Sequence, residues 1–116
     1  MSLVKKISLV ICFLSVACMV ACKADLLGVP VKKEVPFAQK RWKDSDLTSL
    51  QAGQKLFIGH CGKCHELYKP LQYSEDSWLD CLPEMAHKAH LNHDEQLLIQ
   101  KFMLTRRAFL LRKQKK

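Results

Sequence analysis

The stretch "GHCGKCHE", residues 59–66, sets two cysteines and a histidine in the spacing C-x-x-C-H. Three chemistries use such a spacing: covalent haem attachment, zinc binding and a redox disulfide. Two cysteines three positions apart on one turn can form thioethers to both vinyl groups of a single haem. The adjacent His65 then falls under the ring, where its imidazole reaches the iron. Zinc needs a second ligand pair, and His87, His90 and His93 offer nitrogens with no cysteine pair beside them. A thioredoxin-like dithiol needs a βαβ setting, and none is legible. The pattern therefore favours haem, and the absence of a second C-x-x-C-H limits it to one.

The first residues read as an export segment. Lys5 and Lys6 precede a mostly apolar run from Ile7 to Met19, the length of a signal-peptide core and short for a membrane span. The run ends in "MVAC", which resembles the lipobox of bacterial lipoproteins and makes Cys22 the expected lipidation site, with "SVAC" at Cys18 as a second candidate. A soluble periplasmic protein cut nearby is the alternative. Either way the compartment permits haem attachment and disulfides. Removing residues 1–21 takes the net charge from +8 to +6, since Lys5 and Lys6 leave and no acid does. Cys61, Cys64 and Cys81 remain besides Cys22, an odd set that argues against a disulfide framework. A remainder this short buries little core of its own and gains from a large apolar cofactor.

Residues 22–45 read as a flexible tether that starts at the anchor, since 23–45, "KADLLGVPVKKEVPFAQKRWKDS", hold two prolines and no helical period. Three helices are expected beyond it, and no strand, so the fold class is all-α. The first carries Leu47, Leu50, Gly53, Leu56 and Phe57 near the helical period, with Ser45 or Asp46 as N-cap. The second follows Ser74 and sets Trp78, Leu82, Met85 and Ala89 on one stripe; Pro83 predicts a kink or break within it. The third opens at Asn92, which pairs with Glu95 in a capping-box pattern, and places Leu98, Phe102 and Phe109 near one face.

With those elements in order, residues 46–104 resemble a small monohaem class I cytochrome c domain. The shared features are "L-x-x-G-x-x-L-F" from Leu50 to Phe57, the attachment motif at 61–65, Pro70, "W-x-x-x-x-x-x-M" from Trp78 to Met85, and a closing helix with Phe102. The resemblance implies about three helices around one covalently attached haem c, bonded at Cys61 and Cys64, with His65 as proximal iron ligand. It also implies that Gly53 and Phe57 let the first helix cross the last closely. Pro70 could place a carbonyl to orient the His65 ring, or serve as a plain turn residue. The sixth ligand is expected to be Met85, which the stripe can aim at the haem; His90 is the better histidine alternative, Met103 is more readily packing, and His87 falls on the polar side.

The last residues, 105–116, read as a basic amphipathic extension suited to an anionic membrane or an acidic partner, or simply as a solvated helix end. Together these readings describe a single-electron carrier, lipid-anchored on the periplasmic side of a bacterial cell membrane. Its expected partners are redox proteins with acidic docking surfaces, with no nucleic acid among them. No paired carboxylates or nucleophile constellation points to an enzyme. A haem-based sensor or ligand-binding module, and a haem-free metal-binding protein, are the alternatives.

Overall fold

The computed structural model describes residues 27–116, together with residues 2–4 and 7. Apart from those four positions, the signal segment 1–21 and the lipidation site Cys22 lie outside the described residues. A 3-10 turn, Lys32–Glu34, leads into α1 (Val35–Gln39). Then come α2 (Leu47–Leu56), a π-helical turn at Phe57–Cys61, α3 (Glu75–Lys88) and α4 (His93–Gln114). No strand occurs among the described residues, so the all-α expectation holds.

Local chemistry fixes the three long helices where the side-chain pattern put them. Asp46 caps α2: its carboxylate accepts from the Ser49 amide at 2.7 Å, and Ser49 Oγ returns a bond from the Asp46 amide. Those bonds hold the Asp46 carboxyl below its ordinary value. Ser74 Oγ accepts from the Ser77 amide to start α3. Asn92 and Glu95 close a reciprocal box at the start of α4, each bond 2.9 Å long.

The tightest packing is α2 on α4. Gly53 is buried there, and a Cβ at that position would lie 2.7 Å from the Leu98 carbonyl carbon, 2.9 Å from Phe102 Cβ and closer still to the Leu98 oxygen. Only a residue without a side chain lets the two backbones approach this far. Phe57, one turn on, then stacks against Phe102 and Trp78 at ring separations of 6.3 and 6.4 Å. With Leu82, Ile99, Met103, Leu104 and Cys61 these rings form the core. The expected close crossing at Gly53 and Phe57 is what the backbone shows.

Three expectations change. The described part of the tether, residues 27–45, is folded structure: Pro30, Glu34, Ala38 and Ser45 are buried, and Trp42 packs on the core. The reason is a long-range ion pair that no local pattern reveals. Arg106 on α4 donates to Glu34 at 2.7 Å with both side chains under 7% exposed, and to the Gly28 carbonyl at 2.8 Å. Gln51 and Gln54 of α2 likewise donate to the Pro30 and Leu27 carbonyls. This segment covers the far side of α4, which is why six consecutive residues, Lys101 to Arg106, are buried. A single apolar stripe would bury only every third or fourth residue.

The second change is the boundary set at residue 104, which α4 crosses without interruption, Thr105 and Arg106 being among its most buried positions. The third is the break allowed for at Pro83: helix α3 continues through it, and the exposed ring forgoes the amide bond that would reach back toward Leu79.

Two substitutions test the crossing and one pair tests the strap. Gly53→Ala is expected to cost about 3 kcal/mol in chemical denaturation, because the added methyl meets backbone that cannot swing away. Gly59→Ala, where a Cβ meets nothing within 4 Å, should be neutral or slightly stabilising. Arg106→Ala should cost about 3–5 kcal/mol by leaving Glu34 buried and unpaired, and Glu34→Gln combined with it should recover part of that loss.

Candidate functional site

Helix α2 does not end at Leu56; it loosens into the π-helical turn that carries Phe57 to Cys61. Such widened turns recur at functional sites because they redirect side chains out of the regular helical register. Here the turn leaves Cys61 buried against the core and brings His60 beside it, half-buried, on the wall of a cleft of about 130 Å³. Cys64 and His65 form the same wall from the loop after the turn, and both are exposed. The opposite wall is the end of α3: Met85, Lys88 and Ala89. The walls are predominantly apolar.

The stripe Trp78, Leu82, Met85 and Ala89 thus serves two places. Trp78 and Leu82 are sealed in the core, whereas Met85 and Ala89, half-buried, line the cleft. Met103 is fully buried beside Phe102 and lines no part of the cleft, consistent with packing. His87 and His90 are exposed and are not on the cleft wall either. His90 instead ends α3. With φ at 58° it takes the left-handed position usual for glycine, its amide donates to the His87 carbonyl and the Leu91 amide to the Ala86 carbonyl.

The His65 ring is oriented from within the loop. Its Nδ1 lies 2.6 Å from the Glu66 carbonyl oxygen, which only accepts, so this contact favours the tautomer of the neutral ring with the proton on Nδ1 and the lone pair on Nε2. Tyr68 lies against the ring at 4.9 Å. Pro70 stands in a turn, as the plainer of its two readings had it, and its carbonyl accepts the Trp78 indole N–H at 3.1 Å, a buried bond that ties the loop to the core.

Both motif cysteines are free thiols, as is Cys81. Burial pushes the Cys61 thiol above its ordinary value, with the neighbouring Cys64 adding to the shift. A redox dithiol depends on the opposite shift, toward a thiolate near neutral pH. Half-buried Cys81, facing the Trp78 carbonyl, is also raised by burial. Among the described residues no three His, Cys, Asp or Glu side chains come together as a metal cage.

The sequence pattern passed over two cleft residues. Lys88 was readable, since it stands three residues after Met85 on the same helical face; its ammonium turns outward to Glu84 at 2.7 Å, leaving the stem on the cleft. His60 was not readable by helical spacing, because the π turn breaks that spacing at this point. Compared with known proteins, the chain matches no family model, no curated protein and no solved structure.

The different burial of the two methionines yields a direct test. In the protein without added haem, Met103→Ala is expected to cost about 2–5 kcal/mol as a core truncation. Met85→Ala should cost clearly less, because its side chain stands at the cleft rim. Equal losses in chemical denaturation would mean that Met85 belongs to the core.

Proposed function

We propose that this chain is a monohaem c-type cytochrome that passes single electrons between protein partners. It would be held on the periplasmic side of a bacterial cell membrane by a lipid on Cys22. The observation that carries the reading is the convergence of Cys61, Cys64, His65 and Met85 on one apolar cleft.

The donor chemistry fits the group. The thiols of Cys61 and Cys64 are free for thioether bonds. His65 holds its proton on Nδ1 through Glu66 and so offers Nε2 to a metal. Across the cleft Met85 offers a thioether sulfur, the partner that together with histidine favours a relatively high potential. Haem, when bound, supplies an iron that takes up and releases one electron. The chain's own part is to hold that group at two points, to keep the imidazole in one tautomer and to surround the metal with apolar walls.

Haem attachment is read by mass. Expressed with a cytochrome c maturation system, the mature chain should carry one haem that survives acid–organic extraction, and Cys61→Ala with Cys64→Ala should abolish it. Release of the haem with both thiols free would sink the proposal. In the haem-loaded protein, Met85→Ala should remove the thioether-to-iron absorption band, lower the potential and open the iron to carbon monoxide. Met103→Ala should leave the band in place. A wild-type protein that already binds carbon monoxide would point to the sensor reading.

A further inference from the structure

At the far end of α4 from the cleft, the strap and the helix end build a surface whose charge has one sign. Lys33, Arg112, Lys113 and Lys116 surround the half-buried rings of Phe37 and Phe109, and no acid lines the depression between them. The two rings meet edge to face at 5.6 Å. Lys40 lies 5.4 Å from the centre of Phe37 and Lys113 lies 5.6 Å from that of Phe109, so each ring carries an ammonium at its side. The nearby Glu34 does not offset this charge, because it is buried and committed to Arg106. On the same strap Val29 and Val31 are 63% and 49% exposed.

We infer that this basic, aromatic-centred face seats on the anionic headgroups of the membrane to which the N-terminus leads. Cations flanking apolar rings suit a phospholipid interface: ammonium and guanidinium groups meet phosphates while Phe37 and Phe109 reach the acyl boundary. Chain connectivity points to the same occupant. Cys22, the proposed lipid attachment point, stands five positions before Leu27. Five positions span at most about 18 Å, and Arg106 ties Gly28 to α4. The strap therefore cannot stand far from the bilayer. His93 and Phe109, sixteen residues apart on α4, lie about 24 Å apart along the helix. Lys88 and Ala89 of the cleft adjoin the His93 end. Seating the basic face on lipid leaves the cleft pointing away from the membrane.

The inference shares with the proposed function the membrane-directed N-terminus, and it is independent of haem. Its test uses the full chain incorporated into vesicles of phosphatidylcholine alone, or of phosphatidylcholine mixed with phosphatidylglycerol. Lysines are footprinted with an amine-reactive reagent and read by mass spectrometry. On the anionic vesicles labelling of Lys33, Lys40, Lys113 and Lys116 should fall about tenfold and recover in high salt, with Lys88 on the cleft wall unchanged. Lys33→Glu, Arg112→Glu and Lys113→Glu together should remove the lipid dependence while circular dichroism stays that of the wild type. Equal labelling on both vesicles in the wild type overturns the inference whatever the triple variant does. Stronger protection by soluble polyglutamate than by anionic vesicles overturns it too, and assigns the face to an acidic protein. Failure of the chain to associate with phosphatidylcholine alone would count against the anchor reading only, provided the anionic protection remains.

Discussion

The backbone contact of Gly53 with Leu98 is the constraint from which the rest of the architecture follows. Without a side chain at residue 53, α2 lies directly on the Leu98 carbonyl and on Phe102. That distance decides where the next turn goes. Phe57 enters the gap between Phe102 and Trp78, and its ring anchors the widened turn that ends at Cys61. A helix held a few ångströms further off would leave the turn without that anchor, and Cys61 and His60 would lose their fixed relation to α3. Close packing at one glycine is thus converted into the position of a chemical motif eight residues later.

The parts of this fold that were legible in the sequence are those governed by neighbours a few residues apart. The caps at Asp46, Ser74 and Asn92 are decided within three residues, and all three stand where the pattern put them. The stripe of α3 is decided by helical spacing, and its buried and cleft-facing ends follow in order. The strap was illegible for the opposite reason. Its prolines and charges look like a linker, and what folds it is Glu34 finding Arg106 across 72 positions. A buried ion pair needs both partners and an enclosed site, and local composition carries neither piece of information. A second strap residue, Asp44, meets the mostly buried Lys101 of α4 at 3.5 Å.

Of the candidate site, the motif and Met85 were legible, while the supporting shell was not. Pro70 illustrates why. A proline after the motif suggests a carbonyl placed for His65, yet which carbonyl meets which donor is set by the path of residues 66–70 in three dimensions. The loop turns so that Glu66 serves His65 and Pro70 serves Trp78. The two bonds divide the work: one fixes the tautomer of an exposed imidazole, the other nails the loop to the most enclosed side chain in the core. His60 was hidden by the π turn, where the side-chain direction departs from the spacing by which helices are read.

The arrangement along α4 gives these features a common logic. Along this helix of 22 residues, α2 lies on Leu98 and Phe102, the loop entering α3 meets Arg107 through the Tyr73 carbonyl, and the strap is tied at Lys101 and Arg106. Toward its end Arg106 is paired inside with Glu34, while Arg112, Lys113 and Lys116 line the outer depression. A buried cation beside a buried anion costs desolvation that neither a linker nor an isolated helix would bear. What the pair secures is the placement of Lys33, Phe37 and Lys40 beside the helix end. Leu27 and Trp42 of the strap also pack on the core that holds Phe57 and Trp78, and Gln54 beside Gly53 donates to the Leu27 carbonyl, so the two ends of the protein are tied through that core as well as through one helix.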